Sequence, residues 1–304
     1  MTLLQRVLVG GTASGKKAVA AELFARHGLP LLSMDSMKVY RGMDVGTDKP
    51  DAALRGRAPF ALLDLVGHDE SFSLGRWAAA AAAETARAPA GVLFAGGTPL
   101  YLRALLLGLC PTPPADPLLR EELSARWDRD GEAAVRAELA ALDGESAARL
   151  FPGDRKRLLR ALEVAHLTGR PLSEWQRERT APVVPGRIVV AALARTAEDA
   201  LARQSARASA MLRRGLVEEV DALAARAPFA TEPGRAIGYA EVLAWRAGRL
   251  REEQVLPNVI TRTRQLQRKQ RMFLAALPGI RWVPVASGAS LAEVVADVER
   301  ALEL

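Results

Sequence analysis

Short apolar runs alternate with amphipathic stretches over the first hundred residues. Val7-Leu8-Val9 stops at Gly10-Gly11, and residues 18–23 then follow a helical pattern that Gly28-Leu29-Pro30 ends. Leu31-Leu32-Ser33 predicts a short buried strand, residues 60–66 a second, and residues 92–95 a third that closes at Gly96-Gly97. Between them Gly42, Gly46 and Pro50 predict irregular chain, Ser73 caps an expected helix reaching Arg87, and residues 98–108 predict another helix. Strands alternating with helices predict an α/β fold with a parallel sheet covered on both faces. In such sheets ligands sit at the carboxyl ends of the strands, which places the loops after Val9, Ser33 and Ala95 on one rim.

The pattern changes after residue 111. Pro111, Pro113, Pro114 and Pro117 predict a rigid connector, residues 118–179 are charged and helical in pattern, and Pro182 and Pro185 close the segment. Residues 188–193 read as a strand again. The expected organisation is a core of residues 1–111 and 186–304 interrupted by a helical insertion at 112–185. Helices are expected at 197–214, 216–226, 239–247 and 258–277, a strand at 280–285, and a closing helix from 290 with Ser290 as its N-cap.

Composition adds three constraints. Of 304 residues 49% are hydrophobic, enough for a core, and the net charge of +7 suits a polyanionic partner, RNA first, or serves solubility alone. Cys110 is the single cysteine, so no disulfide forms within the chain, and it reads as a packing residue beside Leu109 and Pro111. Arg6 interrupts the first apolar run, and the alanines at 78–83 lie between Arg76 and Glu84. Neither a secretory signal nor a bilayer span is expected, and the chain reads as soluble and cytoplasmic.

Candidate chemistry gathers on the rim. Gly10, Gly11, Thr12, Ala13, Ser14, Gly15 and Lys16 have the spacing of a phosphate-binding loop between strand and helix, where backbone amides and the helix dipole receive a diphosphate or triphosphate. A plain glycine turn is the other reading. The next position, normally Ser or Thr with a hydroxyl for Mg²⁺, is Lys17; an ammonium has three donors and no lone pair for a metal. Asp35 opens the loop after the second strand, as a general base or as a loop aspartate bonding its own backbone. At Gly96-Gly97-Thr98-Pro99, Thr98 either donates to a ligand or caps its helix.

Basic clusters lie elsewhere. Arg155, Lys156, Arg157 and Arg160 crowd the start of a helix capped by Asp154, against the dipole, which suggests an external anion or a solvated basic face. Arg264, Arg268 and Arg271 share one face of the 258–277 helix, with Val259, Leu266, Phe273 and Leu277 opposite. Arg203, Arg207 and Met211 share a face of another helix, from which an arginine could reach phosphates or form surface ion pairs.

These pieces, in this order, resemble the tRNA dimethylallyltransferase (IPP transferase) family from Val7 to about Phe273. The strings that bear the resemblance are the Gly10 to Lys16 loop, the block from Asp35 to Thr47, Gly96 to Tyr101, Arg160 to Val164, Gly215 to Val220, Ala236 to Tyr239, and Thr263-Arg264-Gln265. The resemblance implies a P-loop NTPase-like core whose loop holds the diphosphate of dimethylallyl diphosphate rather than ATP. It also implies a channel that admits the prenyl donor from one end and a flipped-out tRNA base from the other.

By resemblance Asp35, Thr98 and Arg207 are catalytic. Asp35 accepts the proton of the adenine N6 amine while Lys16, Thr12, Ser14, the loop amides and Arg207 stabilise the leaving diphosphate. The implied diphosphate site runs from Gly10 to Lys17. The implied tRNA contacts are Asp35, Ser36, Met37, Lys38, Thr98, Arg155, Lys156, Arg157, Arg235, Gly238, Tyr239, Arg264 and Arg268. The product is a tRNA prenylated at the adenine 3′ of the anticodon (position 37), in tRNAs reading codons that begin with U. Mg²⁺ is the implied cofactor, the tRNA anticodon stem-loop and dimethylallyl diphosphate are the implied partners, and a monomer is expected.

Several positions depart from the family pattern. Lys17 replaces Thr or Ser, Lys38 replaces a glutamine that would read the adenine, Gly11 stands where proline is usual and Pro99 where glycine is common. The histidine-containing motif expected near residues 60–63 is missing, and Gln267-Arg268-Lys269-Gln270 differs from Ala-Lys-Arg-Gln. Two outcomes stay open: a working enzyme in which Lys17 supplies charge in place of a metal, or a tRNA-binding relative without activity. A P-loop phosphotransferase is the remaining alternative, and it needs a hydroxyl where Lys17 stands.

Overall fold

The computed structural model describes residues 3–178 and 182–304. In chain order the elements are β1 (Leu4–Gly10), α1 (Lys16–His27), β2 (Leu31–Met34), α2 (Ala52–Arg57), β3 (Phe60–Ala61), α3 (Leu74–Ala86), β4 (Leu93–Gly96) and α4 (Pro99–Leu107). Then come α5 (Pro117–Leu142), α6 (Gly144–Arg149), α7 (Arg155–Thr168) and α8 (Leu172–Arg177). The chain continues with β5 (Arg187–Arg195), α9 (Ala197–Arg213), α10 (Leu216–Arg226), α11 (Thr231–Gly234), α12 (Tyr239–Arg246), α13 (Glu252–Ala275), β6 (Ile280–Val285) and α14 (Leu291–Leu302).

The six strands form one parallel sheet in the order β3-β2-β4-β1-β5-β6. This is the expected α/β sheet flanked by helices. Its central strands are mostly apolar because both faces are covered, the polar Gln5 and Arg6 falling near the start of β1. On one face Val19, Ala20 and Leu23 of α1 and Val294, Val295, Val298 and Leu302 of α14 pack on Leu8, Leu31, Leu93, Ala191 and Leu193. Against Phe94 of β4 lies Trp77 of α3, stacked on Tyr101 of α4 at 4.2 Å and donating its indole N–H to Ser33 O at 3.2 Å. The register aligns the strand exits: Val9 and Met34 both lie beside Gly96, and Gly10 beside Leu193. The loops after β1, β2 and β4 therefore leave the sheet at one level.

The chain divides into two compact units, Met1–Leu106 with Val183–Leu304, and Leu107–Pro182. The second is a helical unit built around Leu123, Val135, Leu139, Leu158 and Leu162. Gly131, at φ 80°, breaks α5 into two helical stretches. Buried Glu163 ties this unit together by accepting Asp116 N at 2.9 Å, and Arg120 and Arg160 at 2.7 Å each. The expected end of its helical run, Arg179, lies outside the described residues.

Three expectations need correction. The strand expected over residues 60–66 is cut after Ala61, because Leu62 and Asp64 take positive φ (63° and 57°); Val66 forms an isolated bridge with Tyr40. The stretch after Pro50 is not wholly irregular: Asp51 accepts Leu54 N at 2.8 Å and caps α2. The helix expected from 258 begins at Glu252 and runs through Pro257. Its buried residues are Val255, Val259, Thr263, Gln270 and Leu274, while Leu266 is 38% exposed, so the inward seam is partly polar.

Candidate active site

The loop between β1 and α1 wraps around the ammonium of Lys16, which donates to Gly10 O and Gly11 O at 3.1 Å each. Gly15 sits at φ 96° as the residue before the helix, a backbone state that L side chains rarely adopt. From outside, Arg195 donates to Ser14 O at 2.9 Å and Arg203 to Ala13 O at 3.0 Å. With those carbonyls engaged outward, the loop has a fixed conformation. Ser14 Oγ is buried and finds no hydrogen-bond partner among the described residues. A buried hydroxyl in that state suits an incoming oxygen anion. Burial pulls Lys16 down to about 7, Lys38 adds to the effect, and Asp35 opposes it.

Lys16, Lys17, Asp35 and Lys38 line one pocket with Ser33, Phe60, Leu63, Ala95 and Gly96. Asp35 closes its own loop and also borders the pocket. One oxygen accepts Met37 N at 2.9 Å, closing a turn, and the side chain still borders the pocket. Thr98 Oγ1 accepts Ser36 N at 3.0 Å, joining the exits of β2 and β4. It lines a second, smaller pocket with Gly97, Val9 and Met34. Burial pulls Lys38 down to about 8, against the pull of Asp35 and Asp48.

Arg207 of α9 faces the same region, 3.4 Å from Thr47 O and 3.9 Å from Asp48 Oδ2. Asp48 also accepts Lys17 Nζ at 3.0 Å and has Arg214 at 3.6 Å. Burial works against the Asp48 carboxylate, but Arg207 and then Lys17 hold it below the usual range. Among the described residues no cluster of three or more His, Cys, Asp or Glu side chains could hold a metal ion. The position that the motif reserves for a metal-ligating hydroxyl holds an ammonium already paired with the nearest carboxylate, so the residues present do not fit Mg²⁺ there.

Comparison with known proteins now decides the family. The family described as IPP transferase matches residues 38–276. A tRNA dimethylallyltransferase of Thioalkalivibrio sulfidiphilus is 41% identical over 302 residues, covering 97% of this chain and 94% of that protein. One from Thiobacillus denitrificans is 43% identical over 279 residues, covering 90% and 88%. The chain belongs to the tRNA dimethylallyltransferase (IPP transferase) family. Among solved structures, a tRNA isopentenylpyrophosphate transferase of Bacillus halodurans superposes with a TM-score of 0.69 at 27% identity, covering 99% of this chain and 97% of that one. A eukaryotic dimethylallyltransferase acting on tRNA gives 0.77 at 23% identity over 93% of this chain and 74% of that one, a likeness of fold.

The residues that the IPP transferase resemblance assigns to tRNA are not equally placed for it. Arg264 and Arg268 stand exposed on α13, with Lys269 and Arg271 beside them. Arg235 is exposed, and its carbonyl accepts Arg262 at 2.9 Å. Tyr239 is fully buried and donates its hydroxyl to Glu219, so its side chain belongs to the core around Tyr40 and Met211 and has no surface to give to RNA. Gly238 is buried at φ 95° and donates its amide to Glu241 at 2.7 Å. Met37 is half-buried against the same core. In the helical unit Arg155 forms a two-pronged pair with Asp128 (2.6 and 2.8 Å), Arg157 pairs with Asp154, and Arg160 with Glu163. For these arginines the sequence left an external anion or a solvated basic face open; each has an internal carboxylate partner. Lys156 lies on the same first turn.

Four contributors escaped sequence reasoning: Asp48, Arg195, Glu219 and Gln267. Glu219 accepts Asp44 N, Val45 N and Gly46 N and so shapes the turn that presents Asp48. Gln267 explains Gly11: a Cβ at position 11 would lie 2.8 Å from Gln267 Cγ. The only sequence signal for Asp48 is an acid in a Gly-Thr-Asp-Lys-Pro turn, which also fits an ordinary loop.

Proposed function

We propose that this chain transfers a dimethylallyl group from dimethylallyl diphosphate to N6 of adenine 37, 3′ of the anticodon, in tRNAs reading codons that begin with U, and releases diphosphate. One observation carries this reading: Lys16 of the phosphate loop and the Asp35 carboxylate border the same pocket. A diphosphate held by the loop amides, Ser14 Oγ and Lys16 leaves its allylic carbon facing the side of the pocket where Asp35 stands. The N6 lone pair attacks that carbon, the carbon–oxygen bond breaks toward diphosphate, and Asp35 accepts the N6 proton. Lys16, Arg207 and the amide cradle stabilise the charge that grows on the leaving oxygens. Thr98, tied to Ser36, fixes the loop that offers Asp35, and Phe60 and Leu63 supply apolar lining for the prenyl tail.

The exposed cations of α13, Arg264 and Arg268, bind the RNA backbone in this reading, and Arg157 and Arg235 remain accessible for the same role. No step passes through Mg²⁺, since the residues around Lys17 do not fit it.

The test is transfer of labelled dimethylallyl to unmodified tRNA. Label should appear on tRNA with adenine 3′ of the anticodon and not on the same tRNA with guanine there. Label on neither, with ATP turnover present, would replace this reading with a phosphotransferase.

A further inference from the structure

We infer that Lys17, held by Asp48, is a built-in cation that takes the place of a divalent metal, so that the chain grips the diphosphate of its donor without Mg²⁺. The inference rests on the proposed function, because it concerns the same phosphate loop.

The geometry points this way on three counts. First, Lys17 borders the pocket beside Lys16, and its ammonium is anchored: Asp48 Oδ1 lies at 3.0 Å. Its other contacts, Asp48 O and Lys49 O, are long at 3.4 and 3.5 Å. A phosphate oxygen would displace these two and leave the carboxylate bond in place, since an ammonium has three donors. Second, the carboxylate nearest the position of the metal-ligating hydroxyl is engaged. Asp48 is shared among Lys17, Arg207 and Arg214. Third, the local charge is wrong for a dication. Lys17, Lys38, Arg207 and Arg214, with Lys16 among them, gather around Asp35 and Asp48. That surplus repels Mg²⁺ and attracts a diphosphate anion, and burial strengthens both effects.

The turn that presents Asp48 is fixed independently of Lys17. Glu219 accepts Asp44, Val45 and Gly46 amides at 2.9, 2.7 and 3.2 Å, and Asp48 itself takes φ 52°, with its amide on Val45 O at 3.1 Å. Lys17 therefore meets a preformed carboxylate, and its charge arrives at the phosphates with little reorganisation.

The experiment is calorimetric titration of the full chain with inorganic pyrophosphate, in EDTA and in Mg²⁺. A metal-free readout is chosen because tRNA folding itself responds to Mg²⁺; transfer is then followed on an anticodon stem-loop RNA under the same two conditions. The wild-type chain should bind in EDTA within about threefold of its Mg²⁺ affinity. Lys17→Thr should lose about tenfold or more in EDTA and recover in Mg²⁺, while Lys17→Arg should keep metal-free binding. Wild-type affinity that rises more than about tenfold with Mg²⁺, or Lys17→Thr equal to wild type in EDTA, would overturn the inference and leave the phosphate loop standing. Absence of pyrophosphate binding in both conditions would overturn the proposed function as well.

Discussion

Tyr239 donates its hydroxyl to Glu219, whose carboxylate also accepts the consecutive amides of Asp44, Val45 and Gly46. A residue of α10 thus shapes a turn more than 170 positions earlier, and that turn carries Asp48. Glu219→Ala leaves three amides and a phenol without their acceptor. Loss of such charge-assisted bonds should lower unfolding free energy by about 2–4 kcal/mol, whereas Tyr239→Phe should lower it by about 1 kcal/mol. Urea melts of both variants check this, and pyrophosphate titration of Glu219→Ala should show weaker binding as the Asp48 turn loosens.

Asp35→Asn keeps the turn-closing acceptor for Met37 N and removes the base. Transfer should fall at least about a hundredfold in kcat, with tRNA affinity within about twofold of wild type. Single-turnover transfer and filter binding separate the two quantities. Full activity in Asp35→Asn would assign the proton to another acceptor.

Lys16 links the site to pH. In the empty protein burial holds it near 7, whereas a free lysine side chain titrates near ~10.4. Between these values the unfolded chain binds the extra proton, so this residue makes stability rise with pH across that window. Lys16→Met should therefore raise Tm by about 2–4 °C below pH 7, with the gain shrinking toward pH 10. A bound diphosphate favours the charged amine, so donor affinity should fall as pH rises above 7. At pH 8 binding should take up a proton, seen as a dependence of the binding enthalpy on the buffer's ionisation heat.

The α13 cations give a salt signature. Arg264→Ala and Arg268→Ala should each reduce the slope of log K against log salt for tRNA by about one, and leave pyrophosphate binding untouched. The partly buried Arg155, held by both oxygens of Asp128, should change neither slope nor affinity for RNA when replaced by alanine.

Much of this site was legible because its chemistry is local in sequence. Gly10 to Lys16 and Gly96 to Thr98 sit at strand exits, and apolar runs reveal where parallel strands end. Asp35 follows a buried strand directly, so its place on the rim came with the strand. Lys17 was visible as an anomaly, but its partner was not, because Asp48 reaches it only through a turn set by Glu219. The partner of Arg155 at the start of α7 was hidden for the same reason: Asp128 lies 27 residues away on another helix. Tyr239 matched a family motif, yet its environment is decided by packing against Tyr40 and Met211, which periodicity does not reveal. The strand expected to reach Val66 failed on backbone conformation, since nothing in Leu62 or Asp64 announces a positive φ.

β1 is held on one side by β4 and on the other by β5, whose residues lie about 180 positions downstream of it. A ribosome delivers the helical segment between them first, and that segment has its own apolar centre. The strand that bears the phosphate loop meanwhile waits with one hydrogen-bonding edge bare, an arrangement that invites association with other nascent chains. Closure by β5 also brings Arg195 and Arg203 onto the loop carbonyls. The loop after β1 thus acquires its final stiffness late in synthesis, and C-terminal truncation before residue 203 should abolish pyrophosphate binding even though every residue of that loop is present.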